Sequence, residues 1–243
     1  ENVLFDNIVM NNVTGLISLR LGGYLGWKKE RKESLPIGVL RNIRFSNIRA
    51  VVADNAHPLP HEVPAFPGEV KSCINISGVD GYYVENVTFS GVHVTFPGGG
   101  TAQDAAVTVP ELRDHYPEYH MFGVLPAYAF YLRHARGITL ENVTFDSAQA
   151  DLRPAIVCDD VLDLELSNVR AAADPAAPAL MRLRGVRGAF IHGCRPTTPT
   201  ALFARVEGDS REILLSGNDL RKAKQAVETG AGAHSEAVSL SQT

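Results

Sequence analysis

Apolar and polar residues alternate in short runs along this chain, and one frame of that alternation keeps returning. Asn2-Val3-Leu4-Phe5-Asp6-Asn7-Ile8 comes back as Asn42-Ile43-Arg44-Phe45-Ser46-Asn47-Ile48, then as Asn86-Val87-Thr88-Phe89-Ser90-Gly91-Val92 and Asn142-Val143-Thr144-Phe145-Asp146-Ser147-Ala148. Looser copies begin at Asp163, Gly188 and Glu212. Each is a short alternation, a small or amide residue that bends the chain, and a further apolar residue. That pattern predicts a strand, a corner and a second strand.

The last copies lie closest together, which points to a basic repeat of roughly 20–25 residues. The wider earlier steps are explained by loops inserted on the first three coils. These features predict an all-β chain folded as a parallel β-helix, a solenoid. A β-sandwich supplies short strands and turns but does not return one frame. A leucine-rich horseshoe is disfavoured because the regular leucine ladder is missing. The expected division is 1–220 as solenoid coils and 221–243 as a partial cap and loose C-terminal tail. Because Glu1 falls inside a repeat, the coils are expected to form the C-terminal part of a longer solenoid, partnered by upstream coils of the same parent chain.

Composition narrows the function classes. The 243 residues carry 23 Lys and Arg against 27 Asp and Glu, a net charge of −4. No global basic field favours nucleic acid. No apolar run approaches the length of a membrane span, so no membrane partner is expected. Cys73 and Cys158 lie in apolar strand patterns, where a thiol behaves as a small buried hydrophobe, and with Cys194 they are too few to pair completely.

Candidate chemistry concentrates in the insertions. Tyr24–Glu33 holds the only Trp, and Trp27 beside Lys28 and Lys29 offers an aromatic face and ammonium groups for an acidic sugar. A solvated charged loop is the alternative. His57, His61 and Glu62 suggest a metal site, but Pro58, Pro60 and Pro64 exclude the helix that would align the imidazoles, so no metal and no cofactor is expected. The insertion from Gly98 to about Pro126 is long enough either to wall a binding groove or to brace the coils. Asp159-Asp160 is a carboxylate pair, yet neighbours in a strand point to opposite faces, and no catalytic residue is assigned. Asn12, Asn75, Asn86 and Asn142 sit in glycosylation triplets that the repeat itself explains.

The stretches ENVLFDNIVMNNVTGLISLRLGGY, ENVTFSGVHVTFPGGGTAQDA, YPEYHMFGVLPAYAFYLRHARG and DLRPAIVCDD resemble the C-terminal half of polygalacturonase-like glycoside hydrolases of family 28. The resemblance covers the chain to about Asn218. It implies a right-handed parallel β-helix, a secreted or periplasmic location and inverting hydrolysis of pectic polysaccharide by separated carboxylates. It also implies a substrate-stacking role for Tyr24, beside which Trp27, Lys28 and Lys29 are expected, from their own chemistry, to bind substrate. The family's N-T-D, G-H-G and R-I-K segments are absent from this sequence. The catalytic acids are therefore expected on upstream coils, and this segment alone is expected to be inactive. The alternative is a non-catalytic carbohydrate-binding or structural β-helix of the adhesin or tail-spike type, with a lyase or epimerase as a third option.

Overall fold

A computed structural model describes residues 1–23, 36–55, 66, 68–115 and 118–241. Its strands, in chain order, begin with β1 (Val3–Val13), β2 (Ser18–Arg20), β3 (Arg41–Val52), β4 (Ile74–Ser77) and β5 (Val84–Phe96). Next come β6 (Phe130–Glu141), β7 (Thr144–Ser147), β8 (Ile156–Ser167), β9 (Arg170–Ala171) and β10 (Met181–His192). The last are β11 (Arg195–Pro196), β12 (Thr200–Glu207), β13 (Arg211–Ser216), β14 (Ala223–Thr229) and β15 (Val238–Ser241). One short helix, α1 (Ala102–Ala105), lies in the insertion that starts at Gly98.

The recurring frame stacks on itself in register. Val3, Ile43, Val87, Ile138, Leu164, Ala189, Ile213 and Val238 pair successively, and so do Phe5, Phe45, Phe89, Leu140, Leu166, Ile191, Leu215 and Leu240. All of these pairings are parallel. The phenyl rings stack within this register, Phe5 on Phe45 at 4.8 Å and Phe45 on Phe89 at 4.7 Å. Between these columns the alternating positions face outward, as the period of two requires.

Corners form where residues adopt left-handed backbone, and the corners are also in register. Asn2, Asn42, Asn86, Gly137, Asp163, Gly188 and Glu212 make one such column, all with φ between 54° and 70°. Asn7, Asn47, Gly91, Asn142, Asn168, Gly193 and Gly217 make a second. His134, Asp160, Gly185 and Gly208 make a third. Glycine, Asn and Asp dominate because a Cβ is penalised there and a short amide or carboxylate can bond locally. The side-chain amides add a ladder of their own, with Asn42 donating to Asn2 at 2.9 Å and Asn86 donating to Asn42 at 3.1 Å. This explains three of the four glycosylation-like triplets, since Asn12, Asn86 and Asn142 are left-handed corner residues. The fourth, Asn75, is buried in β4.

The architecture corrects the expectation. The strands form one 15-stranded sheet, and its wall curls through 290° around an axis. The result is a nearly closed, nine-stranded parallel β-barrel rather than an open right-handed β-helix solenoid with loop insertions. A repeating frame specifies which residues stack, but the curvature of the wall comes from the corner geometry and is not written in the period. The barrel encloses a core of aliphatic and phenyl side chains that includes Ile74, Leu132, Ile138, Leu140, Ile156 and Phe203, all fully buried. At the C-terminal side β14 pairs with β12 and β15 pairs with β13.

The Gly98 insertion folds back onto the outside of the wall. Val109, Phe122 and Leu125 pack on Cys73, Tyr131 and Val157 to form a second, smaller core. Beside it lies an ion pair closed off from water, Arg153 and Asp151, with side chains 2% and 1% exposed. Arg153 grips both carboxylate oxygens, through Nε at 3.0 Å and a terminal nitrogen at 2.7 Å, and donates to the carbonyls of Lys71 and Ala127. Asp151 also accepts from the N–H of Gly100 at 2.9 Å. A Cβ at Gly100 would lie 2.2 Å from that carboxylate, so only glycine fits this approach. All three cysteines are buried thiols, and burial pushes the Cys73 thiol up to about 12.

Removing one partner of such a pair strands a buried charge, a loss of about 3–5 kcal/mol. Asp151→Ala is therefore expected to lower the unfolding free energy in urea by that amount. A loss below about 1 kcal/mol would show that the pair does not anchor the insertion.

Candidate functional site

The polar side chains of the wall converge at the third corner column, where β6 and β8 bend. Backbone pairing sets Ser77, Arg133, Asp159, Arg184 and Glu207 on successive strands, with the bend immediately after each. At two of these bends the residue is not glycine. His134 adopts φ 45° and Asp160 φ 54°. A histidine in left-handed backbone is uncommon, and a position held against that preference is sustained by its surroundings.

The surroundings are specific. His134 is 7% exposed, and its Nδ1 lies 2.7 Å from an Asp160 carboxylate oxygen. Its Nε2 lies 3.2 Å from Glu111, which the insertion delivers to the wall, and 3.2 Å from the Nε of Arg133. The Arg133 Nε–H donates to that Nε2. Arg133 also donates to the carbonyls of Val109 and Pro110 and to the Glu111 carboxylate, so one guanidinium binds the insertion to the barrel. The Tyr83 hydroxyl donates to Asp160 at 2.9 Å, and its ring meets the His134 ring edge-on at 6.4 Å.

Charged pairs surround this centre. Arg184 holds Asp159 through two nitrogens, one at 2.9 Å, and its hydrogen bond to that carboxylate raises its own pKa. Arg187 pairs with Asp209, and Arg136 pairs with Glu85. Burial pushes the Tyr83 phenol above its ordinary pKa, and the hydrogen bond to the Asp160 carboxylate adds to the rise. Burial acts in the opposite sense on Arg133, whose pKa falls. The wall is thus a dense, mixed array of donors and acceptors in which Asp159, Asp160 and Glu111 each have a partner. Among the described residues no group of three His, Cys, Asp or Glu side chains could hold a metal ion.

Several sequence expectations can be placed against this geometry. Asp159 and Asp160 diverge, the first to Arg184 and the second to His134 and Tyr83, because the left-handed bend at Asp160 separates them. The Gly98 insertion does two things, bracing the wall through its apolar residues and supplying Glu111 to the corner. Tyr24, Trp27, Lys28 and Lys29 lie outside the described residues, as do His57, His61 and Glu62. The described chain stops before Tyr24 at Gly23, whose N–H donates at 2.8 Å to the Arg113 carbonyl, two residues from Glu111. Sequence reasoning missed His134. Its one available signal is a His where aligned repeats carry Asp160, Gly185 and Gly208.

No family model matches the sequence. No curated protein matches it either. One solved structure, described as that of a "putative glycosyl hydrolase" from Parabacteroides merdae ATCC 43184, is similar at 13% identity, with a TM-score of 0.44. The alignment covers 82% of this chain and 76% of that one. A likeness this distant carries no argument about activity. The barrel architecture overturns the resemblance to family 28. The reading as a β-helical scaffold and cleft edge of a pectin-cleaving, inverting hydrolase falls with it, as does its β-helical adhesin or tail-spike alternative.

The Tyr83–Asp160 contact gives a direct check. Replacing Asp160 by Asn removes the charge that helps to hold the phenol neutral, so the Tyr83 pKa should fall toward the ordinary tyrosine value. Difference ultraviolet titration against Tyr83→Phe isolates this group. An unchanged Tyr83 midpoint would show that the two side chains do not interact in solution.

Proposed function

We propose that the protein recognises a hydroxyl-rich saccharide along the polar wall centred on His134, and that binding rather than bond cleavage is the task of that wall. The observation that carries this is the state of the corner residues. Both ring nitrogens of His134 are engaged, and Asp159, Asp160 and Glu111 are each held by a cation or a hydroxyl. Such carboxylates are oriented acceptors for ligand hydroxyls, but none stands free as a nucleophile or proton donor.

The array also suits a sugar electrostatically. Arginine forks and carboxylates alternate on neighbouring strands, so a ligand carrying many hydroxyls meets a donor or an acceptor at each step. The Tyr82 and Tyr83 rings flank the same region, with Arg113 stacked 5.6 Å over Tyr82 and Arg136 stacked 5.9 Å over Tyr83. Rings beside fixed polar groups provide the apolar face that sugar binding requires. Pectic oligosaccharides are the class to test first, since the sequence from Tyr24 to Lys29 carries the aromatic and ammonium groups expected to meet an acidic sugar.

Glu111 and Arg184 are exposed enough to be replaced without opening the core. A charge-assisted hydrogen bond contributes about 1.5–3 kcal/mol, so Glu111→Ala or Arg184→Ala should weaken oligosaccharide binding roughly tenfold or more. Isothermal titration calorimetry with pectic and neutral oligosaccharides reads this. Undiminished affinity in both variants, or no binding of any saccharide by the unaltered protein, would overturn the proposal.

A further inference from the structure

A second polar surface lies on other strands of the wall. Pairing places Val9, Arg49, His93, Thr144, Arg170 and Arg195 in one column across β1, β3, β5, β7, β9 and β11. Beside them along their strands, Ile48 and Ala50, Val92 and Val94, and Val169 and Ala171 are buried. Arg49, Arg170 and Arg195 are exposed, and His93 is half-exposed. At the end of the column Arg195 shares a groove with Arg221, Lys222, Thr197 and Asp219. At the other end Arg49 and His93 line a shallow depression with Val9, Val51 and Thr95.

The charge along this column is not balanced from within. Among the described residues, the side chains of Arg49, Arg170 and Arg195 make no ion pair and no hydrogen bond. The neighbouring carboxylates are committed elsewhere, Asp146 to His93 at 2.7 Å and Asp219 to Arg221 through two contacts at 2.9 and 2.7 Å. Arg170 and Arg195 are directly opposite each other on adjacent strands. Like charges so placed repel, and nothing in the fold requires them there, because both side chains point to solvent. The corner around His134 shows the contrasting arrangement, in which Asp159 separates Arg133 from Arg184. A protein of net charge −4 thus keeps on one face a row of guanidinium groups that make no close ion pair.

We propose that this row binds a linear anionic polysaccharide laid across the strands. Arg49 and Arg195 are four strand steps apart, about 19 Å at the usual spacing between strands. Arg170 lies three steps from Arg49 and one step from Arg195, so a polymer laid across the strands meets all three guanidinium groups. Guanidinium forks match the planar oxyanions of carboxylate and sulfate groups, which is why both are admitted as the charged group. Nucleic acid fits less well. The column contains no Phe, Tyr or Trp ring to stack a base, and the net charge of the chain opposes long-range attraction of a phosphate backbone. The row is separate from the His134 corner, and the proposal does not rest on the reading of that corner.

The test measures binding of the whole chain to alginate, a carboxylated polymer, and to heparin, a sulfated one, with dextran and single-stranded DNA as controls. The double variant Arg170→Gln plus Arg195→Gln changes exposed side chains only and should keep its thermal unfolding midpoint. It should lose at least tenfold in affinity for alginate, heparin or both, and its binding should become less sensitive to salt. The polymer that loses affinity identifies the anion. The double variant and the unaltered protein should treat dextran alike. Equal binding of the double variant and the unaltered protein would overturn the proposal. So would tighter binding of DNA than of either polysaccharide.

Discussion

Left-handed backbone at fixed intervals is the constraint on which the rest of this structure depends. Each corner turns the chain so that the next strand can lie beside the last, and the three corner columns repeat on successive strands in register. The penalty for a Cβ in this conformation is relieved by choosing Gly, or by Asn and Asp side chains that bond along the column. Because the corners are aligned, the apolar positions between them are aligned too, and the Phe and aliphatic columns follow without further specification.

The same device positions the polar wall. A column that elsewhere holds Gly185 and Gly208 holds His134 and Asp160 on β6 and β8, and the bend turns both side chains toward one centre. The Gly98 insertion then closes over the outer face of those strands and brings Glu111 to the His134 ring. The buried Arg153–Asp151 pair fixes the base of that insertion by joining it to the carbonyls of Lys71, Leu125 and Ala127. Packing, ion pairing and corner geometry therefore meet at one place.

How much of this was legible in the sequence differs by level. The frame beginning at Asn2 identified the residues that stack, since alternation and recurrence are local properties. It also attributed the Asn triplets to the repeat, and Asn86 and Asn142 prove to be corner residues. Closure of the wall was not legible, because a period records neighbours along the stack and says nothing of the angle between them. The His134 corner was equally hidden. Its members Tyr83, Glu111, His134 and Asp160 lie far apart in the chain, and only the pairing of β6 with β8 and the return of the insertion bring them together. Asp159-Asp160 drew attention as a pair, whereas the bend between them sends the two carboxylates to different partners.

The most direct measurement of the corner constraint compares Asn142→Gly with Asn142→Ala in chemical denaturation. Both variants lose the contact from the Asn168 amide, 3.4 Å away, so their difference isolates the backbone at φ 54°. The glycine variant should be the more stable by about 1 kcal/mol, since alanine carries the left-handed penalty. Equal stability, or a more stable alanine variant, would contradict the view that left-handed corners hold this wall together.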